Sequence, residues 1–281
     1  MRQVSSLLPT VTSHPAAPGG SARELRIAAL VAAWIVVALA IDRGAPIGLQ
    51  LVLGAITWVL LLVLLRREPW PVRAQVAVVV VLATAVEYTA SPLLGLYTYR
   101  LGNVPSFVPP GHGMVYLAAL ALGRSALFAR WRRPLVAATL LVGAGWAAAG
   151  LLGPWRNDLF GALLFLVLAG FLLAGRAPLV YVGAFLITSY LELVGTGLGA
   201  WTWAHHDPTG LLAIGNPPSG IPGGYCVFDA AALTLAPPLQ RGLARLAGRR
   251  VPLSQRRSRI TWTTASLKVI RSAITVMRDL L

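Results

Sequence analysis

Hydrophobic residues occupy this chain in eight long runs that are separated by short polar connections. A helix needs roughly 20 apolar residues to cross the hydrocarbon core of a bilayer, and each run comes near that length. The runs predict transmembrane helices at residues 25–41, 47–65, 74–91, 107–128, 135–153, 159–174, 178–198 and 221–239. The pattern therefore indicates an all-α polytopic membrane helix bundle.

Composition supports a membrane protein and excludes several other classes. The chain has 281 residues, of which 57% are hydrophobic and 12% are charged, whereas a soluble domain carries about 25% charged residues. The net charge of +15 could indicate a nucleic-acid partner, but the basic residues lie in connections and tails, so no nucleic acid is expected. The single cysteine, Cys226, excludes a disulfide framework and a multi-cysteine metal site.

The basic residues are unevenly shared between alternate connections. One set of connections and both tails hold most of them: Arg23, Arg26, Arg66, Arg67, Arg73, Arg124, Arg130, Arg132, Arg133, Arg176, Arg241, Arg245, Arg249 and Arg250. The other set holds only Arg43, Arg100 and Arg156. Basic connections remain in the cytoplasm, so we expect a multi-pass protein of the plasma membrane with both termini cytoplasmic.

The two ends of the chain differ from the apolar middle. Residues 1–24 are rich in Ser, Pro, Ala and Gly, which predicts a disordered cytoplasmic tail. Residues 240–281 are basic and weakly amphipathic, which predicts a surface helix that binds anionic lipid; the alternative is a disordered tail.

A polar and aromatic signature occurs twice. The first copy is Glu87, Gly95-Leu96-Tyr97-Thr98-Tyr99, Leu101-Gly102-Asn103 and Pro109-Pro110-Gly111-His112. The second copy is Glu192, Gly199-Ala200-Trp201-Thr202-Trp203, Ile214-Gly215-Asn216 and Pro217-Pro218, followed by a Gly-rich run to Asp229. We interpret residues 25–128 and 129–239 as duplicated four-helix halves in the same orientation. Parallel repeats of this kind place their site between the halves.

The carboxylates of this signature are the strongest candidates for chemistry. Glu87 and Glu192 lie inside apolar runs, and Asp229 lies near the outer end of the last run. A charge near the hydrocarbon core is costly and therefore indicates function. Arg100 is the one nearby basic residue, and burial without a basic partner favours the protonated acid. We therefore expect a pocket near the outer surface in which a carboxylic acid donates a proton.

The remaining signature residues are interpreted as the walls of that pocket. Tyr97, Tyr99, Trp201 and Trp203 could alternatively belong to an interfacial aromatic belt. Asn103 and Asn216 could be turn residues, and His112 could be a helix-start residue bonded to a loop. His205 and His206 lie in an exposed loop and are expected to be solvated, so no metal site is predicted. No cofactor motif is visible, and the absence of lysine from the runs excludes a retinal Schiff base.

The first copy of the signature resembles the integral-membrane carotenoid biosynthesis proteins. The matching residues are Glu87, Gly95-x-Tyr97-x-Tyr99, Leu101-Gly102, Val104-Pro105 and Val108-Pro109. The second copy is similar to a later aromatic and Gly/Asn segment of that family, through Trp201-x-Trp203, Gly215-Asn216-Pro217-Pro218-Ser219-Gly220 and Gly223-Gly224-Tyr225.

The resemblance implies a carotenoid hydratase that adds water to a terminal isoprenoid C=C. Glu87 or Glu192 would protonate the alkene, and Asp229 or His112 would orient the water. The aromatic residues, with Asn103, Asn216 and Tyr225, would bind the substrate and stabilise a tertiary carbocation. The substrate would be an apolar isoprenoid that enters from the bilayer, and no cofactor is implied.

Two alternatives stay open at this point. A membrane terpene cyclase or isomerase would use the same acid and aromatic residues but exclude water from the cation. A proton- or cation-coupled transporter, or a lipid-binding protein, would use the carboxylates to bind its ion. The polar residues crowd one face, which disfavours transport because a transporter needs a path to both faces.

Overall fold

The structure is a computed structural model that describes residues 20–153 and 157–246. Each of the eight predicted runs contains a long helix: α1 (Gly20–Asp42), α2 (Ile47–Leu65), α3 (Trp70–Tyr88), α4 (Val108–Arg124), α6 (Arg132–Leu152), α7 (Leu159–Ala174), α8 (Pro178–Gly197) and α9 (Pro222–Leu246). A short helix, α5 (Ala126–Arg130), joins α4 to α6. The helical bundle predicted from the sequence is therefore confirmed.

Five helices of the described chain are long and apolar enough to cross a membrane. They are Ser21–Asp42, Ile47–Leu65, Trp70–Leu93, Arg132–Leu152 and Pro178–Gly197. The helix Leu159–Ala174 is apolar but shorter. Large hydrophobic residues cover the outside of these helices, for example Leu51, Val59 and Leu141. A soluble protein rarely exposes so much contiguous apolar surface, so the exterior is that of a membrane protein.

Several predicted boundaries differ from the structure. Residues 20–24, predicted to lie in a disordered tail, form the first turn of α1, and α9 continues to Leu246 beyond the predicted end at residue 239. The predicted helix 107–128 is interrupted at Ser125, whose extended backbone ends α4 and whose Oγ accepts a hydrogen bond from Phe128 N at 3.2 Å. A side-chain cap of this kind starts a new helix. The predictions for residues 1–19, 247–281 and Arg156 lie outside the described residues.

The centre of the bundle is formed by α3, α4, α8 and α9. α4 packs most closely on α8, and α3 packs on α9. Gly183 allows the first of these contacts, because a Cβ at that position would lie 2.5 Å from the carbonyl oxygen of Ala119. Small residues allow helix backbones to approach closely in membranes, where packing drives association. This close core positions the ends of α3 and α8 next to the starts of α4 and α9.

A cluster of charges fastens the end of the bundle that carries the basic connections. The buried carboxylate of Glu68 lies 2.6 Å from Arg23 and 3.0 Å from Arg124, and Arg124 also binds Glu24 at 2.8 Å. Burial alone would raise the pKa of Glu68, but the hydrogen bonds and positive charges of Arg124 and Arg23 outweigh it and lower that pKa. The cluster therefore joins α1, the α2–α3 connection and α4.

The opposite end is held by two further buried acids that the sequence reasoning did not single out. Asp42 accepts a hydrogen bond from Gln50 Nε2 at 2.7 Å and lies 3.6 Å from Arg100. Asp158 caps α7 through Gly161 N at 2.9 Å and also accepts from Ser219 N at 2.7 Å. A buried carboxylate that accepts several donors fixes the backbone around it. These contacts hold the long connections over this end of the bundle.

Candidate functional site

Two short strands form the roof of the site. β1 (Tyr97–Tyr99) pairs antiparallel with β2 (Trp201–Trp203), and Thr98 lies opposite Thr202. Side chains alternate between the two faces of a strand, so the four aromatic side chains point to one face and are buried, while both threonines are exposed. We call Tyr97, Tyr99, Trp201 and Trp203 the aromatic cage.

The backbone just before each strand turns in the same way. Gly95 and Gly199 have φ of 65° and 72°, a left-handed conformation that favours glycine. After Glu87, the chain passes through a π-helical turn at Thr89–Leu93, which contains Pro92 and so lacks one backbone donor. Such turns are frequent at functional sites, and here the turn brings the strand back over the end of α3.

Glu87 has three hydrogen-bond partners. The hydroxyl groups of Tyr97 and Tyr99 both donate to Glu87 Oε2 at 2.7 Å. Glu87 Oε1 lies 2.7 Å from Nε2 of His112, which is at the start of α4. Three partners around one buried carboxyl group fix the position of both of its oxygens, so the arrangement suits a carboxyl group paired with an imidazole.

Glu192 has a related but different environment. The indole Nε1 atoms of Trp201 and Trp203 donate to Glu192 Oε2 at 3.0 Å and 3.1 Å. No hydrogen bond from the described residues reaches Glu192 Oε1. Because an indole N–H only donates, the two tryptophans fix Oε2 as an acceptor and leave Oε1 without a partner among the described residues.

His112 connects the two halves of the site. Its ring stacks on Tyr225 of α9, with centroids 5.3 Å apart and an angle of 25° between planes. Phe228 packs edge-on against both rings. His112 Nδ1 is buried and has no hydrogen-bond partner among the described residues. The stacking fixes the ring so that Nε2 faces Glu87.

A cavity of about 360 Å³ lies against these groups. Glu87, His112, Glu192, Tyr225 and the aromatic cage line it, and the rest of the wall is mainly aliphatic or aromatic. Trp34, Phe160 and Phe228 belong to that wall. Sequence reasoning missed them because a single aromatic residue in an apolar run carries no signal of its own. The cavity offers an apolar molecule direct contact with Glu87 and Glu192, whereas the carboxylate of a third lining acid, Asp207, accepts hydrogen bonds from Thr209 and Leu212 of its own loop.

Three predicted site residues do not line this cavity. Asn103 donates to Gln50 Oε1 at 3.1 Å, and Asn216 Oδ1 accepts from Trp203 N at 3.1 Å, so both support the connections. Asp229 follows the cavity-lining Phe228, but consecutive helix residues point about 100° apart. Asp229 is 3% exposed, and its Oδ2 has no hydrogen-bond partner among the described residues.

The basic residue that lies nearest to the signature in the sequence does not contact its carboxylates. Arg100, the one nearby basic residue, lies beside Asp42 and donates to the Ala45 carbonyl rather than to Glu87. His205 and His206 are exposed. The described residues contain no group of three or more His, Cys, Asp or Glu side chains arranged to hold a metal ion.

The chain matches no protein-family model, no curated protein and no solved structure. Its resemblance to the carotenoid biosynthesis proteins therefore rests on the sequence motifs alone.

Proposed function

We propose that this chain is an integral membrane enzyme of carotenoid or isoprenoid metabolism that hydrates a terminal C=C through a carbocation. One observation carries the proposal: two buried carboxyl groups, held by two tyrosines and two tryptophans, face the same apolar cavity. Acid, aromatic surface and apolar wall are the three things that protonation of an alkene requires.

The different partners of the two glutamates suggest their roles. Glu192 is the acid: its Oε1 donates a proton to the CH carbon of the terminal C=C, and a tertiary cation forms at the carbon that bears the two methyl groups. The aromatic cage stabilises that cation through its ring faces. The ionised Glu87 adds electrostatic stabilisation, which is stronger in an apolar cavity than in water.

Glu87 and His112 together serve as the base. A water molecule forms a C–O bond with the cation and loses a proton to the Glu87–His112 pair, which gives a neutral tertiary alcohol. The proton then returns to Glu192, so substrate and water are consumed and the enzyme is unchanged. Asp229, which lies outside the cavity lining, is not needed in this sequence of steps.

We also propose that all eight long helices cross the plasma membrane and that the halves arose by duplication. In support, the strand pair has a local two-fold pattern: Ala204 N donates to Leu96 O at 2.9 Å, and Arg100 N donates to Ala200 O at 3.0 Å. The same two-fold rotation relates the packing of α4 on α8 to the packing of α9 on α3. The basic connections lie at the end away from the aromatic cage, which favours cytoplasmic termini.

Expression in a carotenoid-producing host that lacks a hydratase tests the function. Pigments are compared by liquid chromatography and mass spectrometry with and without the chain. A product heavier by one water supports hydration, whereas a new product of unchanged mass supports the cyclase or isomerase alternative. An unchanged pigment profile, with the protein present in the membrane fraction, would contradict both.

A further inference from the structure

The two halves cover their central grooves differently. In the first half, α1 packs on both α4 and α8, and the Tyr190 hydroxyl of α8 reaches the Ala32 carbonyl of α1 at 3.4 Å. Val31 and Trp34 of α1 therefore form part of the cavity wall. This helix closes the groove that lies between α2, α4 and α8.

The corresponding helix of the second half leaves its groove open. α6 packs on α7 and α8 but has no comparable packing on α3 or α9 within the described chain. α9 packs on both α3 and α7, while α3 and α7 do not pack on each other to a similar extent. The result is a groove with α9 as its floor and with α3 and α7 as its sides.

This groove is continuous with the cavity. Ala85 and Val86 of α3 line the cavity although both are exposed, Val86 to 39%. Phe160 and Leu164 of α7 line it from the other side and are half-buried. All four side chains are apolar, so the opening suits hydrocarbon and not a charged solute.

The cavity is too small to enclose a long isoprenoid chain, so the chain needs an opening. About 360 Å³ is near the lower limit of roughly 300–1,000 Å³ for pockets that enclose a drug-sized ligand. A long isoprenoid chain is larger than such a ligand, so most of it must remain outside. A tail that leaves through an apolar opening stays in contact with lipid or apolar side chains, which avoids exposure to water.

We infer that the groove between α3, α9 and α7 is a lateral portal for a linear isoprenoid chain dissolved in the bilayer. The reacting end lies at Glu87 and Glu192, and the tail lies between Val86 and Leu164. This inference rests on the proposed function for the identity of the reacting end. It makes α3 and α7 the elements that select an extended apolar tail.

Photocrosslinking tests the portal without requiring turnover. The probe is a twenty-carbon linear isoprenoid hydrocarbon with a diazirine midway along the chain, added to the wild-type protein in proteoliposomes. Excess unlabelled lycopene is the competitor, and adducts are mapped by mass spectrometry. We expect adducts on α3 and α7 near Val86 and Leu164 that lycopene displaces. Adducts near Leu141 of α6, where the probe behaves as a lipid, should not be displaced. The portal would be overturned if the adducts that lycopene displaces lay between α1 and α8, or if lycopene displaced no adduct at all.

Kinetics of a matched pair of variants supply the second measurement. Val86→Trp adds bulk at the opening, whereas Val81→Trp adds the same bulk on α3 at a residue that is 68% exposed and does not line the cavity. For hydration of lycopene, kcat/KM should fall at least tenfold in the first variant and stay within twofold in the second. Equal rates in both variants would overturn the portal. Competed crosslinks without any hydration would retain the portal and contradict the proposed function.

Discussion

Glu192 provides the sharpest prediction because its two oxygens have separate tasks. In Glu192→Gln, the amide oxygen can still accept both indole N–H groups at about the observed 3.0 Å and 3.1 Å, while the amide nitrogen replaces Oε1. The hydrogen bonds of the fold are preserved and the transferable proton is lost. A positioned general acid contributes about 10²–10⁴-fold in rate, which corresponds to roughly 3–5 kcal/mol of activation free energy.

Glu192→Leu separates this catalytic role from a structural one. It removes the acceptor from two buried indole N–H groups, and each unsatisfied donor costs about 1–3 kcal/mol. We therefore expect loss of stability on the order of 2–6 kcal/mol in addition to loss of activity. The Gln variant should melt within a few degrees of wild type.

The assay is hydration of lycopene by purified protein in proteoliposomes, with thermal unfolding followed on the same samples. Asp42→Asn is the matched control, because Asp42 is a buried carboxylate outside the cavity and its partner Gln50 can still be satisfied by an amide oxygen, while only the ion pair with Arg100 at 3.6 Å is lost. That variant should keep the wild-type rate. A Glu192→Gln variant that hydrates at more than a tenth of the wild-type rate would refute the assignment of Glu192 as the acid.

Two further predictions concern the support of the site. A methyl group on Gly195 would overlap the Trp201 ring, so Gly195→Ala should displace that ring, cost about 1–3 kcal/mol in unfolding free energy and lower activity. Gly145→Ala is the control: its methyl group meets open space, so neither stability nor activity should change. An equal effect of both variants would contradict this role of Gly195. The pKa of Glu68 is lowered in the fold, so its ion pairs stabilise the protein above about pH 4.5, and that stability is lost as pH falls through the lowered pKa. The melting temperature of Glu68→Gln in detergent should therefore depend less on pH below 4.5 than that of wild type, and parallel curves would contradict the role of the cluster.

The helices and the cage residues could be predicted because their signals are local. Apolar runs set the helix ends to within about seven residues. The two strands were not predicted, because the all-α prediction left Tyr97–Tyr99 and Trp201–Trp203 in connections and their pairing joins segments distant in the chain. The repeated signature also indicated that Glu87 and Glu192 would meet. Tyr225 was identified through the motif in which it lies.

The parts that could not be predicted depend on contacts between distant segments. Asp229 is an acidic residue in an apolar run and so a typical candidate for the site, but the rotation of α9 turns it away from the cavity. Arg100 directly follows the cage residue Tyr99, yet it lies beside Asp42, 58 residues earlier in the chain. α1 packs across both halves and leaves only one groove open among the described helices. The local sequence pattern of either half does not indicate this packing.

Oxygen labelling shows whether this chain adds water to an isoprenoid C=C. Purified protein in proteoliposomes is given lycopene in water enriched in heavy oxygen, and the product is read by mass spectrometry. We expect a tertiary alcohol that carries the heavy oxygen, formed by wild type and by Asp42→Asn but lost in Glu192→Gln. A product without added oxygen, or an alcohol formed equally by the Glu192→Gln variant, would contradict it.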